Sequence, residues 1–418
     1  MKYQNYLKQE KSFIIKVNKW TCKKKFCTGI LISIGVILLI SIILTLIIGK
    51  KYSKLYLDSG YEESWNDLYG NKTINIPYFN NNKIINTFKK NDINYNETIG
   101  DLNNGKDYDK NERNYYDLYI PYSSTQKKDE YNGIILFIHG GGWQFGDKSN
   151  LNYLCSRYAK MGYITATLDY TLLTNKYKDS NIFKNLDEIT SCIENIKTQL
   201  KNQGFDENKL GIAISGTSSG AHLAMLYGYS IKNSPIPIKF IINIVGPVSL
   251  ENNYWYKLVK KNQTLEKIES DNIKKAINDN KIVQMDINIT LLKIMNLFIG
   301  KKYNDKQLKE MIKDKKINIE NENYIKLNKI VQNAFPINFI NKNKVPTLCI
   351  YGGNDENIGV AHYYKLKELF EKNKIENELV YFRYGGHMLL SPYNENGLEA
   401  MKKMHFQILN FSKKYFLE

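Results

Sequence analysis

Cysteine and histidine are both scarce in this chain of 418 residues, which contains five of each. The cysteines are odd in number and form no close-spaced pattern, so the sequence predicts no disulfide framework. No group of cysteines and histidines has the spacing of a zinc site. These absences disfavour a disulfide-stapled module and a zinc protein, and we expect the cysteines to act mainly as small apolar side chains.

Acidic residues are outnumbered by basic ones, and the formal net charge is +17. An excess of this size is typical of nucleic-acid-binding proteins when it forms a patch or accompanies a known motif. Here residues 1–25 hold eight lysines against the single acid Glu10, and the rest of the excess is interleaved with acids. Because no DNA- or RNA-binding motif is recognisable, we expect no nucleic-acid partner.

Residues 26–49 form a long apolar run without a charged residue. About 20 apolar residues cross a bilayer as a helix, whereas the apolar part of a cleaved signal peptide has about 7–15 residues and ends in small ones. The run therefore predicts an uncleaved transmembrane helix, with a signal peptide as the alternative. More lysines precede the run than follow it, which predicts a cytoplasmic N-terminus and places residues 50–418 outside the cell or in a lumen.

Four parts follow one another in this interpretation: a basic cytoplasmic tail (1–25), the transmembrane helix (26–49), a polar stalk or lead-in (50–110) and a folded domain (111–418). Short apolar runs alternate with amphipathic stretches in the folded domain, which predicts strand–helix units and a mostly parallel sheet. The alternation stops over about 250–335, where the chain is charged and helix-like. We therefore expect one α/β domain with an inserted helical cap.

The elements of the folded domain can be placed from these patterns. The predicted strands cover residues 115–121, 133–138, 163–169, 209–215, 238–245, 346–351 and 378–383. The predicted helices cover residues 151–161, 183–203, 219–231, 359–372 and 396–415.

Residues 216–220 read Gly-Thr-Ser-Ser-Gly and fit the pattern G-x-S-x-G. A predicted strand precedes the pentapeptide and a predicted helix follows it, as the sharp turn of a nucleophile elbow requires. Glycine at both ends allows the close packing of that turn. The pattern therefore indicates Ser218 as a nucleophile, with an ordinary glycine- and serine-rich turn as the alternative.

A second glycine-rich stretch, His139-Gly140-Gly141-Gly142-Trp143, follows the strand predicted at 133–138. Glycines leave their backbone N–H groups open to a reacting carbonyl, and such donors stabilise an oxyanion. We expect the donors to be the N–H groups of Gly141 and Gly142, together with that of Ser219. The stretch lacks the spacing of a nucleotide-binding loop.

The base should lie in a loop at the carboxyl edge of the sheet. His387 follows the last predicted strand in the context Gly-Gly-His, whereas His139 and His222 lie inside the two glycine motifs and are expected to be structural. Asp355 follows the strand at 346–351 and is the expected partner that orients His387, with Glu356 as the alternative.

The chain resembles the α/β-hydrolase esterases, particularly the group around hormone-sensitive lipase, bacterial acyl esterases and kynurenine formamidase. The resemblance covers about 112–418 and rests on these segments: H-G-G-G-W-Q-F-G-D-K at 139–148, D-Y-T-L at 169–172, G-T-S-S-G-A-H-L at 216–223, the segment around Asp355, and G-G-H at 385–387. It implies the α/β-hydrolase fold, with a mostly parallel eight-stranded sheet flanked by helices. It also implies a triad in the order Ser218, Asp355 and His387, and an acyl-enzyme route without a metal or organic cofactor.

The leading interpretation is the hydrolysis of carboxylic esters with an acetyl or a short to medium acyl group, in a small-molecule, lipid or glycan substrate. An arylformamidase-like amide hydrolase would use the same triad, and Trp143 with Gly146-Asp147-Lys148 resembles the formamidase and small-ester branch. A catalytically inactive scaffold is a third reading. The apolar face from Leu291 to Ile299 in the cap is expected to pack on the core, with an acyl pocket or a lipid contact as alternatives.

Overall fold

A computed structural model of the chain describes residues 87–94, 113, 115–121, 131–177, 179–250, 284–314, 316–389 and 397–416. The predicted cytoplasmic tail and transmembrane helix lie outside these residues, as do most of the predicted stalk and the first part of the predicted cap. In the part of the chain that the structure describes, no helix combines the length and the apolar character needed to cross a membrane.

Eight strands of the described residues form one sheet, and two more form a small hairpin. Their bounds are β1 Thr87–Asn94, β2 Tyr115–Pro121, β3 Ile134–Ile138, β4 Ile164–Leu168, β5 Ile212–Thr217, β6 Ile238–Ile244, β7 Ile312–Lys313, β8 Lys316–Ile317, β9 Thr347–Gly352 and β10 Asn377–Phe382. The order across the large sheet is β1-β2-β4-β3-β5-β6-β9-β10. The pairs β1–β2 and β2–β4 are antiparallel, and every other neighbouring pair is parallel. The mostly parallel eight-stranded sheet implied by the resemblance is confirmed.

Strand β3 shows why the central strands read as unbroken apolar runs. All five residues of its sequence I-I-L-F-I are buried. Successive side chains of a strand point to opposite faces of the sheet, so complete burial means that both faces are covered. Because both faces are covered, the strand has no position at which a polar residue would face solvent. The strand predicted at 133–138 matches the observed strand to within one residue.

The sheet begins inside the segment predicted to be a stalk or lead-in. Strand β1 pairs with β2 from Thr87 to Asn94, with an irregular register between Lys90 and Ile93. Its sequence, T-F-K-K-N-D-I-N, does not alternate apolar and polar residues. A prediction based on hydrophobic periodicity therefore passes over it, although its backbone extends the sheet at one edge.

Eight α-helices are described. Their bounds are α1 Asn152–Lys160, α2 Ile182–Asn202, α3 Ser219–Ser230, α4 Gln284–Phe298, α5 Asp305–Glu310, α6 Glu322–Val331, α7 Ala361–Asn373 and α8 Gly397–Phe416. Helix α2 begins after Asn181, whose side-chain oxygen accepts hydrogen bonds from two backbone N–H groups. The apolar stripe predicted on α2 is buried in the core, at Leu186, Ile189, Ile193, Ile196 and Leu200.

The described part of the predicted cap contains α4, α5, α6 and the β7–β8 hairpin. The apolar face of α4 belongs to the main hydrophobic core, with Leu291, Leu292, Met295, Phe298 and Ile299 all buried. Burial of these side chains stabilises the attachment of the helix to the domain. This apolar face therefore packs in the core, as expected, and its buried side chains are not available for contact with lipid.

Candidate active site

The residues that the sequence predicts to be functional follow four parallel strands at the same edge of the sheet. His139 follows β3, Ser218 follows β5, Asp355 follows β9, and His387 follows β10. The carboxyl ends of parallel strands meet at one edge, where α/β proteins build their binding crevices. The topology alone therefore brings these distant parts of the sequence together.

Ser218 occupies a strained turn between β5 and α3. Its backbone angles are φ 53° and ψ −122°, a conformation that is rare for a residue with a side chain. The turn is held because the Ser218 N–H donates to the carbonyl of Ile244 at 2.9 Å. A Cβ on Gly220 would lie 2.1 Å from the Ile138 carbonyl oxygen, and one on Gly216 would lie 2.3 Å from that of Gly220. The two glycines therefore permit a close approach that no other residue allows.

Ser218, His387 and Asp355 form one chain of hydrogen bonds. The Ser218 Oγ lies 3.0 Å from His387 Nε2, and His387 Nδ1 lies 2.8 Å from Asp355 Oδ2. When Nδ1 carries the proton and donates it to the carboxylate, Nε2 is free to accept the serine proton. This geometry is the one that activates a serine nucleophile.

The Asp355 side chain is fully buried and is held through its other oxygen. Its Oδ1 accepts hydrogen bonds from the backbone N–H groups of Asn357 and Ile358, both at 2.8 Å. Glu356, the alternative from sequence, is exposed, and the carboxylate bonded to His387 is that of Asp355.

Backbone hydrogen bonds also tie the Asp355 loop to the His387 loop. The Asn354 N–H donates to the Gly385 carbonyl at 2.9 Å. A Cβ on Gly352 would lie 2.3 Å from that same oxygen. The distance between the carboxylate and the imidazole is therefore set by two loops that are in direct contact.

The glycine loop, which we define as residues 139–146, lies against the serine. A Cβ on Gly140 would be 3.2 Å from the Cβ of Ser218. Gly141 and Gly142 have φ values of 121° and 59°, which favour glycine. Among the hydrogen bonds of the described residues, none uses the backbone N–H of Gly141 or Gly142. The oxyanion-donor role predicted for these two N–H groups therefore stays a prediction, and neither group is used within the described residues.

His139 braces the glycine loop, and the hydrogen bonds of its ring go to Gly140 and Arg113. Its Nδ1–H donates to the Gly140 carbonyl at 2.7 Å, and its ring stacks on that of Tyr170 with centroids 4.3 Å apart. Burial lowers its pKa to about 4, so the imidazole is neutral at pH 7. The structural role expected for His139 is confirmed.

His222 is likewise structural. Its Nδ1 accepts a hydrogen bond from the indole N–H of Trp143 at 3.3 Å, and its Nε2–H donates to the Ala334 carbonyl at 2.8 Å. The Trp143 ring also contacts Phe298 of α4, edge to face. His222 therefore joins the segment predicted to be a cap, at Ala334, to both the glycine loop and helix α3.

The two remaining histidines are packing residues in the core. His362 Nδ1 accepts from the backbone N–H of Val248 at 3.2 Å, and His405 Nδ1 lies 2.9 Å from the hydroxyl of Tyr158. Burial lowers the pKa of His362 to about 3. His387 is therefore the one histidine of the chain that lies within hydrogen-bond distance of Ser218.

Two charged residues behind the glycine loop, Arg113 and Asp169, were not predicted from the sequence to be functional. Asp169 belongs to the D-Y-T-L segment, but the sequence did not indicate that it braces the loop. Asp169 Oδ1 accepts from the backbone N–H of Lys148 at 2.8 Å and lies 3.3 Å from the Arg113 guanidinium. Arg113 belongs to no motif, and it lies at the predicted domain boundary. No group of three or more potential metal ligands is found among the described residues.

The comparisons with known proteins agree with this fold. A family model described as BD-FAE matches residues 116–370, more than half of the chain. The chain belongs to the BD-FAE family. This is a family of α/β-hydrolase esterase domains. The matched part of the BD-FAE domain contains Ser218 and Asp355 and ends before His387.

Individual proteins that are similar to this BD-FAE domain match it either over a short part of the chain or at low sequence identity. Gut esterase 1 of Caenorhabditis elegans is 33% identical over 102 residues, which are 23% of this chain and only 18% of that protein. An inhibited form of esterase B from Lactobacillus rhamnosis has a TM-score of 0.50 at 13% identity and covers 84% of this chain and 95% of its own. A truncated carbohydrate esterase from gut microbiota has a TM-score of 0.49 at 14% identity, over 80% of this chain and 98% of its own. The likeness to esterase B, at 13% identity, shows the fold alone.

Proposed function

We propose that this protein hydrolyses carboxylic esters through Ser218, with His387 as the general base and Asp355 as the residue that orients it. The observation that carries the proposal is the unbroken series of hydrogen bonds from Asp355 through His387 to the Ser218 Oγ. Membership of an esterase family supports the same reaction.

The reaction proceeds in two halves. The Ser218 Oγ attacks the ester carbonyl while its proton passes to His387 Nε2, and collapse of the tetrahedral intermediate expels the alcohol, which takes that proton. A water molecule then attacks the acyl-enzyme, gives a proton to His387, and releases the carboxylic acid and the free serine. Asp355 keeps its hydrogen bond to His387 Nδ1 and stabilises the imidazolium.

The oxyanion of each tetrahedral intermediate is bound in this proposal by the N–H groups of Gly141, Gly142 and Ser219. Ser219 is the first residue of α3, so the positive end of that helix dipole adds to its N–H group. Removing one such donor typically costs about 10²–10³ in kcat.

The substrate class is proposed as esters with an acetyl or a short to medium acyl group, carried by a small molecule, a lipid or a glycan. We test it with a p-nitrophenyl ester series of increasing acyl length, using the full-length chain and Ser218→Ala. We expect turnover that the mutation abolishes, with an optimum at short or medium acyl length.

Turnover of N-formyl amides but of no ester would replace this function by formamide hydrolysis. Folded protein that is active on neither class and is not labelled by a fluorophosphonate would indicate an inactive scaffold.

We also propose that residues 26–49 anchor the protein in a membrane, with the hydrolase domain on the extracytoplasmic or lumenal side. The uncharged run and the lysines before it support this topology. The full-length chain should resist extraction from membranes at alkaline pH. Protease should cleave the domain from outside intact cells if it is at the cell surface, and only after the enclosing membrane is opened if it is lumenal. Release of the protein at alkaline pH would contradict the anchor.

A further inference from the structure

Arg113 lies just before β2, far from the motifs in sequence, yet its guanidinium group is buried beneath the glycine loop. Its Nη2 donates to the Gly146 carbonyl at 2.9 Å and contacts His139 Nε2 at 3.1 Å. Its Nε donates to the Tyr170 carbonyl at 3.0 Å. The residue is only 8% exposed. One side chain therefore contacts the first and the last residue of the loop that carries Gly141 and Gly142.

A charge buried in this way needs a partner of opposite sign. Asp169 supplies it, because its Oδ1 lies 3.3 Å from Arg113 Nη2. The same oxygen accepts the backbone N–H of Lys148, two residues beyond the loop. The ion pair is thus joined by hydrogen bonds to both flanks of the glycine loop, through Arg113 on one side and through Asp169 on the other.

The connection reaches the Gly141 N–H through one peptide group. Because arginine only donates, His139 Nε2 must accept, and its Nδ1–H is then the donor to the Gly140 carbonyl at 2.7 Å. The Gly140 carbonyl and the Gly141 N–H belong to the same planar trans peptide, in which they point in opposite directions. Fixing the carbonyl on the His139 side therefore fixes the direction of the N–H on the other side.

The far end of the loop is held in the same way. The Phe145 N–H donates to the Gly141 carbonyl at 2.9 Å, and a Cβ on Gly146 would lie 2.6 Å from the Gly140 carbonyl oxygen. The loop is therefore closed on itself, and Arg113 is bonded to this closed unit through the Gly146 carbonyl.

We propose that Arg113 is a positioning residue for the oxyanion hole: through His139 and the Gly146 carbonyl it sets the orientation of the Gly141 N–H beside Ser218. This inference rests on the proposed ester hydrolysis. It assigns to a residue outside every recognised motif the task of pre-orienting a donor, which is the condition for electrostatic stabilisation of the transition state.

The test compares Arg113→Met, Arg113→Lys and the matched control Arg157→Met in the full-length chain. Arg157 is also a buried arginine, but it lies on α1, where its charge acts on Tyr158 and His405. Three quantities are measured: kcat and KM on the best p-nitrophenyl ester, the inhibition constant of a trifluoromethyl ketone of the same chain length, and the melting temperature. The ketone forms an oxyanion on binding, so its affinity reports on the hole independently of turnover.

We expect Arg113→Met to lower kcat by about 10- to 100-fold, somewhat less than the loss of a whole donor, with KM changed by less than about threefold. The ketone should lose affinity by a similar factor. Arg113→Lys should recover part of both effects, because lysine keeps the charge but lacks the planar fork of donors. If Arg113→Met does not fold, Arg113→Lys is judged by the same split between kcat and KM.

Two results would overturn the inference: a loss of kcat no larger than in Arg157→Met, or an unchanged ketone affinity in a folded Arg113 variant. A wild-type protein that hydrolyses no ester, but whose Ser218 reacts with a fluorophosphonate, would defeat the proposed function alone. The reaction rate of the Arg113 variants with that probe would then decide the inference, because the phosphoryl oxygen occupies the same hole. A wild-type protein that reacts with neither would overturn both.

Discussion

The nucleophile elbow and the glycine loop meet beside Ser218, but the protein holds them by different means. The elbow is fixed by the backbone, through the hydrogen bond from Ser218 to Ile244 and the close approach of Gly220 to strand β3. The glycine loop is closed by its own backbone bonds, but side chains from elsewhere in the chain tie it to the rest of the protein, namely Arg113 and Asp169 behind it and His222 beside it. A short motif therefore reveals both turns, but the motif of the glycine loop does not reveal the distant side chains that hold it.

The largest effect is expected for Gly220→Ala, which tests whether backbone contacts hold the nucleophile elbow. The new methyl group would lie 2.1 Å from the Ile138 carbonyl oxygen, and a strand backbone cannot yield without disturbing the sheet. We expect ester turnover to fall below detection and the melting temperature to drop.

Gly228→Ala, on the same helix, is the matched control. Its Cβ would meet the Cδ1 and Cγ1 of Ile241 at 2.4 and 2.7 Å, which belong to a side chain that can shift and not to the backbone of a strand. The variant should keep most of its activity. Equal loss of activity in the two variants would show that the contact with β3 has no special role.

The next largest effect is expected for Asp355→Asn. An amide in this position presents the wrong partner to His387 and loses the negative charge that stabilises the imidazolium. We expect kcat to fall by about 10³- to 10⁴-fold with a folded protein, as measured by steady-state kinetics and circular dichroism. A decrease of less than tenfold would mean that another group orients the base.

Trp143→Phe, in the glycine loop, should have a smaller effect on activity than Asp355→Asn. Phenylalanine keeps an aromatic ring next to Phe298 but removes the N–H that donates to His222. Because a neutral hydrogen bond contributes about 1 kcal/mol, we expect a loss of roughly fivefold in kcat or a drop of a few degrees in melting temperature. A fully wild-type enzyme would show that this bond does not hold the loop.

The smallest effect is one of pH on stability. Burial lowers the pKa of His222 to about 4, below the value of about 6.5 in the unfolded chain. The unfolded state therefore binds more protons between these two values, and the free energy of unfolding should fall as the pH is lowered through that window. Protonation of Nδ1 would also remove the acceptor for Trp143.

His222→Gln sharpens this prediction, because glutamine offers one acceptor and one donor but does not titrate. Urea unfolding at several pH values should show a shallower dependence for the variant between pH about 6.5 and 4. The other buried histidines keep part of the slope. An unchanged slope would mean that His222 does not contribute to it.

The sequence allowed prediction of the parts of the site that are local. The run before Ser218, the three glycines after β3, and the loops with Asp355 and His387 each combine a strand pattern with a short motif. The structure brings Ser218, Asp355 and His387 together within hydrogen-bond distance. The parallel sheet followed from the same alternation, with strand ends within about three residues of those observed.

The features that escaped prediction have no local signature. The sequence of β1 does not alternate apolar and polar residues, and the strand is joined to the sheet by backbone pairing with β2. Arg113 is a single basic residue in a lysine-rich chain, and its role appears only when the fold brings it beneath a loop that begins 26 residues later. Pairing partners at such distances depend on the tertiary structure and not on periodicity.

Ser218 is proposed as the nucleophile of an ester hydrolase, and one measurement tests this role most directly. The full-length protein is treated with a fluorophosphonate until ester turnover stops, and the modified residue is located by peptide mass spectrometry. We predict a single adduct on Ser218, formed in step with the loss of activity and absent from Asp355→Asn at early times. An adduct on another residue, or loss of activity without an adduct on Ser218, would contradict the assignment.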